Sequence, residues 1–166
     1  EKQEVDFFLG PYSSSLSIAV ASISNASGIL AMLPGAALPD LYQLGYRYAF
    51  TTSVMAADYM KHALQTIRSL GVRSLALLWD GESPFDTAMC AGAVEHARNL
   101  GLQVLASISL DDESGLTSQV RKLKAKSPDA LVGCHHTRGA AQIVNAARAL
   151  RFAPSTMVLS MAASEA

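Results

Sequence analysis

The chain has 166 residues, half of them apolar and 16% charged, and its 13 Lys+Arg nearly balance 14 Asp+Glu. That composition excludes an intrinsically disordered chain, which needs low hydrophobicity and high net charge. It also argues against nucleic acid as a partner, because neutralising phosphates takes a basic excess.

The length suits about one ordinary domain with a real core. No apolar run reaches the roughly 18 residues of a membrane helix. Residues 28–38 are apolar but short, and Pro34 and Gly35 break them, so no direct membrane insertion is expected. No signal peptide follows Glu1, which suits a cytosolic chain or a trimmed secreted one. Cys90 and Cys134 make neither a disulfide framework nor a zinc spacing, and they leave the compartment open.

In chain order, residues 5–9 read as a short buried strand stopped by Gly10-Pro11. Ser13, Ser14 and Ser15 are N-cap candidates for a helix with Leu16, Ala19, Val20, Ile23 and Ala26 at helical spacing, ended by Gly28. Residues 28–33 form a second strand. Residues 36–46 read as a loop with one helical turn after Pro39, and residues 48–52 as a short strand. Residues 54–69 predict an amphipathic helix with Met55, Tyr59, Ala63, Ile67 and Leu70 on one side, closed by Gly71. Residues 72–79 (VRSLALLW) are a strand. A turn at residues 80–84 leads into a helix that runs to about Leu100. The remainder alternates: strand 103–110, helix 115–126, strand 130–133, helix 137–151, strand 156–160. This rhythm predicts an α/β fold with a parallel sheet covered by helices on both faces.

Ligands of parallel sheets bind beyond the carboxyl ends of the strands. Four such ends stand out. At residues 10–15, hydroxyls and free amides at a helix start make an anion site, or the serines simply cap the helix. At residues 34–37, small side chains let a ligand approach the backbone, or form a plain loop. Trp79 beside Phe85 walls an apolar ligand or packs at the sheet edge. His135 and His136 suggest metal or acid–base work, yet neighbours on an extended segment point opposite ways, so at most one faces a given site. Dinucleotide, Walker and nucleophile-elbow motifs are missing. Asp58, Asp80, Asp86 and Glu95 are scattered without dyad spacing, and His62 and His96 read as surface groups on helices. No cofactor and no metal site is expected.

Several segments in order resemble the type I periplasmic solute-binding proteins, in particular receptors of branched-chain amino acid ABC transporters. They are residues 5–14 (VDFFLGPYSS), Gly28-Ile29-Leu30 leading to Pro34-Gly35-Ala36, residues 45–52 (GYRYAFTT) and Leu70-Gly71-Val72 before residues 75–80. Further on come Ser127-Pro128-Asp129-Ala130-Leu131 and Ala146-Ala147-Arg148-Ala149-Leu150. The resemblance implies a longer protein of two Rossmann-like lobes, doubly wound around parallel sheets, with the ligand in the cleft between them. Residues 1–52 would be part of lobe one, left incomplete, and residues 53–166 most of lobe two. The chain would thus be a central fragment.

Carried over residue by residue, the resemblance implies that Ser14 binds the ligand carboxylate, with Tyr12 and Ser13 beside it. Gly35, Ala36 and Ala37 would form the contacting loop. From lobe two, Phe85 would close over the ligand, His136 would supply a second pocket ring, and Trp79 would stand near the cleft. Ala162 falls where amino-acid receptors place the acid that grips the α-ammonium group. Ala37 has no hydroxyl where a Ser or Thr is usual, and Ala162 cannot balance an ammonium, whose unpartnered burial is costly. The implied ligand is therefore a small carboxylate with an apolar or aromatic body that need not carry an amine.

The resemblance thus implies a non-enzymatic, periplasmic receptor of an ABC importer, with a membrane permease as partner. A ligand sensor of the same fold is the alternative, and a small α/β enzyme using His135 or His136 is a third.

Overall fold

The computed structural model describes residues 5–110 and 115–160, save the side chain of Thr137. The chain divides into two compact units, Glu1–Ala56 and Ala57–Ala166. No helix among the described residues is long and apolar enough to cross a membrane.

The first unit holds β1 (Phe7–Leu9), α1 (Ser14–Ser27), β2 (Leu30–Met32), α2 (Pro39–Gln43) and β3 (Ala49–Phe50). Its strands pair in parallel in the order β1-β2-β3. Ser13 caps α1, its Oγ accepting from the Leu16 amide at 3.3 Å. Gly28 ends the helix in the left-handed region, where a side chain would be strained.

Each crossover in this unit moves the same way along the sheet. Right-handed crossovers then put α1 and α2 on one face. That face carries the core of Ala21, Ala31, Leu33, Ala36, Leu41 and Ala49. The other face is bare, and this corrects the expected buried first strand: Phe7 is 61% and Leu9 75% exposed. The register Phe7↔Leu30, Leu9↔Met32 and Met32↔Phe50 aligns these side chains on one surface. In the described part of this unit the sheet is wound once only.

The second unit opens with the end of a 3-10 turn (Ala56–Asp58). It continues through α3 (Lys61–Ser69), β4 (Ser74–Asp80), α4 (Pro84–Asn99), β5 (Gln103–Leu110), α5 (Leu116–Lys124), β6 (Ala130–Cys134), α6 (Thr137–Ala149) and β7 (Thr156–Leu159). The strand order is β5-β4-β6-β7, all parallel. The chain winds from β4 out to β5, then back past β4 to β6 and on to β7. The reversal puts α4 on one face and α5 and α6 on the other. Ala76, Leu78 and Leu131 of the sheet meet Val120 and Leu123 of α5 and Ile143 and Ala147 of α6. Here the expected covering of both faces holds.

One helix differs from its sequence reading. The α-helix starts at Lys61, and its buried positions are Leu64 and Ile67, preceded by Met60. Tyr59 and Leu70 are exposed. The buried stripe is displaced by about one residue from Tyr59 and Ala63, roughly 100° around the helix. Met60 therefore takes the inward place assigned to Tyr59.

Candidate functional site

In the first unit the structure brings Tyr12, Ser13, Ser14, Gly35, Ala36 and Ala37 together around the start of α1. A Cβ on Gly35 would lie 2.8 Å from Tyr12 Cδ2 and 2.9 Å from the Ser13 amide nitrogen, so only glycine allows this approach. The buried Ser14 hydroxyl ties helix to loop: it accepts from the Ala37 amide at 3.0 Å and donates to the Gly35 carbonyl at 3.4 Å. Ala36 is fully buried, and its carbonyl accepts from the Tyr42 hydroxyl at 3.0 Å. Burial pushes the Tyr42 phenol above its ordinary pKa, against a hydrogen bond with Thr51 that lowers it. Tyr12 is exposed. The Ser14 and Ser15 amides lie ahead of the first intrahelical bond, the place where a helix meets an anion. Ser13 thus caps the helix, Ser14 fastens it to the loop, and the helix start is compatible with an anion.

In the second unit β4 and β6 end where α4 and α6 begin. Ser83 caps α4, its Oγ accepting from the Asp86 amide at 3.2 Å. That start places Phe85 in the first turn, and His136 is the cap residue of α6. The two rings stack at 5.6 Å between centroids, 27° apart. Tyr59 meets the Phe85 ring edge-on, with centroids at 5.2 Å. Trp79 lies half-buried in β4, paired with Ser109 and Cys134 in the sheet register. Ala162 lies outside the described residues.

A cavity of about 400 Å³ opens at these strand ends, lined among others by Asp80, Asp86, His135, His136 and Arg138. His135 is buried while the His136 side chain is 55% exposed, as opposed orientations require. Both nonetheless border the one cavity, contrary to the expectation that only one could. The reason is that β6 ends at Cys134 and the chain turns into α6 across the pair. The Ser160 hydroxyl fixes this turn, donating to the His135 carbonyl at 2.6 Å and accepting from the His135 amide at 2.8 Å.

Burial pushes the Asp86 carboxyl up to about 6, and the nearby Asp80 charge adds to the rise, while His136 and a hydrogen bond with Ser83 oppose it. Burial also pushes the His135 imidazole below its ordinary pKa and favours the neutral ring. The Cys134 thiol is held far above its usual range by its contact with Cys90 and by burial, so it stays protonated.

Three features escaped the sequence reading. Asp86 looked scattered, although it directly follows Phe85. Tyr59 was assigned to the helix core. His96, read as a surface group, bonds Asp58 at 2.9 Å and is only 22% exposed. No periodicity marks such contacts, because they join distant elements. Among the described residues, no group of three or more His, Cys, Asp or Glu side chains converges as metal ligands would.

A family model described as periplasmic binding protein matches residues 1–166. Among solved structures, a substrate-binding protein of an ABC transporter from Desulfitobacterium hafniense in complex with Leu is similar at 16% identity and TM-score 0.80, over 93% of this chain and 46% of that one. A leucine binding protein from Thermotoga maritima is similar at 18% identity and TM-score 0.80, over 93% and 44%. A solute binding protein of an ABC transporter from R. palustris, in complex with 4-hydroxybenzoate, is similar at 15% identity and TM-score 0.78, over 93% and 43%. At these identities the likeness shows the fold, that of a type I periplasmic binding protein with parallel sheets and flanking helices. The chain spans less than half the length of these structures.

Proposed function

The chain belongs to the periplasmic binding protein family, and from that membership we propose that it is part of a periplasmic solute receptor of an ABC importer, taking a small carboxylate ligand. In this reading residues 1–52 belong to one lobe and residues 53–166 to the other. In the first unit the start of α1 suits a carboxylate, and in the second the rings of Phe85 and His136 suit an apolar body. Binding involves no chemical change, and the loaded receptor hands its ligand to a membrane permease.

The observation that carries this reading is the start of α1, where Ser13, Ser14 and the first amides of the helix stand against the Gly35 to Ala37 loop. Helix-start amides and hydroxyls meet carboxylates well. The Phe85–His136 stack adds a flat apolar surface for an aliphatic or aromatic body. Leucine and 4-hydroxybenzoate, held by the similar proteins, share a carboxylate and an apolar body.

The test is a thermal-shift comparison on the full-length protein with paired ligands: leucine or phenylalanine against their deaminated acids. A ligand that binds only the folded state stabilises it by about 2.7 kcal/mol at a hundredfold excess over Kd. At least one carboxylate of these pairs is expected to raise the melting temperature, and Phe85→Ala to reduce that rise. A melt that none of them moves would overturn the reading. A shift by the deaminated acids alone would support the inference drawn from Ala162, and a shift by the amino acids alone would reject it.

A further inference from the structure

Asp86 sits in the first turn of α4, directly after Phe85. Its side chain is 2% exposed, and its Oδ1 has no hydrogen-bond partner among the described residues. Burying a carboxylate oxygen without a partner is costly, so the position needs a reason. Nε2 of His136 stands 4.0 Å from this oxygen. That gap is too long for a hydrogen bond, yet a movement of about 1 Å would close it. The same imidazole lies stacked on Phe85.

We propose that Asp86 is a positioning residue acting through His136: carboxylate and imidazole share a proton, and its place sets both the ring's seat against Phe85 and the charge that an anionic ligand meets. This rests on the reading of Phe85 and His136 as ligand-facing.

The charged surroundings fix the sign. Asp80 at the end of β4 and Glu82 in the following turn bring negative charge to the cavity, and Arg138 of α6 brings positive charge. His135, on the same cavity, is pushed toward its neutral form by burial, against the Asp80 charge, and Cys134 stays protonated. The Asp86 carboxyl, pushed up to about 6, changes charge between about pH 5 and pH 7. Below that window it is neutral, and the site carries one negative charge fewer. Above it the carboxylate pairs with the imidazole and repels an anion. Affinity for a carboxylate therefore falls as pH rises through the window.

The experiment uses the full-length protein and 3-phenylpropanoate as probe, at about pH 5.5 and 7.5, in wild type and Asp86→Asn. Wild-type affinity is expected to fall about fivefold across the window, a size suited to one partly screened charge, and the Asp86→Asn profile to be flat. A separate readout needs no ligand. The ring resonance of His136, followed by NMR, should shift as Asp86 ionises near pH 6, and Asp86→Asn should remove that shift. Equal pH profiles in the two proteins, or a His136 resonance that does not report Asp86, would overturn the proposal while leaving the receptor reading intact. If no carboxylate binds at any pH, the receptor reading falls, and the His136 curve alone decides whether the two groups share a proton.

Discussion

Asp129 joins the starts of two strands through one carboxylate. Its Oδ2 accepts from the amides of Arg73 and Ser74 at 3.0 and 2.8 Å and from the Ser74 hydroxyl at 2.9 Å. These bonds hold the β4 start beside the β6 start and push the Asp129 carboxyl below its ordinary pKa. An acid with a lowered folded-state pKa contributes stability that is present above its unfolded value and lost as pH falls through the folded one. Asp129→Asn should therefore lower the melting temperature near neutral pH, and the gap to wild type should close at acid pH. Melts recorded across that range check it.

Asp86 gives the opposite sign. Its pKa is raised, so ionising it costs stability as pH rises from the ordinary carboxylate value to about 6. Asp86→Asn should melt higher than wild type near pH 7.5 and no higher near pH 3.5. A variant less stable than wild type at pH 7.5 would show that the carboxylate's pairing with His136 outweighs the cost of its burial. A destabilising group retained beside the Phe85–His136 stack fits a role in binding. The sequence showed the aromatic and the histidine. It did not show that Asp86 Oδ1 lies 4.0 Å from the His136 ring, because that depends on where α4 and α6 start.

At the scale of elements, Gly92 couples α4 to the segment before α3. A Cβ there would lie 2.1 Å from the Ala57 carbonyl oxygen and 2.4 Å from Ala57 Cα, both backbone atoms. Neither can swing aside as a side-chain end would. Gly92→Ala is expected to destabilise the protein by about 1–3 kcal/mol, read as a lower midpoint in denaturant, although alanine favours a helix. An unchanged or raised midpoint would mean the segments separate freely. In sequence a mid-helix glycine looks like a small defect. Its reason is a close approach between segments that no local pattern encodes.

At the scale of the whole molecule, the two units should behave differently when separated. The described residues of the second unit form a sheet covered on both faces. Residues 1–56 show a bare face of Phe7, Leu9, Leu30 and Phe50. A piece this small that leaves such a surface in water is marginal. Expressed alone, residues 57–166 are expected to unfold cooperatively, and residues 1–56 to show no cooperative transition. Circular dichroism melts of the two pieces decide it; a sharp transition in residues 1–56 would mean the bare face does not limit stability.

The order of strands and helices was legible because it rests on local facts: apolar runs for strands, serines and prolines at helix starts, glycines at helix ends. These act within a few residues, so composition and spacing reveal them. Phe85, His136, Ser14 and Gly35 were legible as candidates from the ordered segments, because strand ends and helix starts of a parallel fold lie at one edge. Other features depend on sheet order, which sequence spacing does not state. Winding in one direction leaves β1 bare on one face, and winding out and back covers β4 on both. Only the tertiary structure decided which strand was buried, that Met60 and not Tyr59 faces inward, and that Asp86 shares its cavity with both histidines. Burial, pairing and proton affinity are set by neighbours distant in the chain, and those neighbours exist only once the sheet has formed.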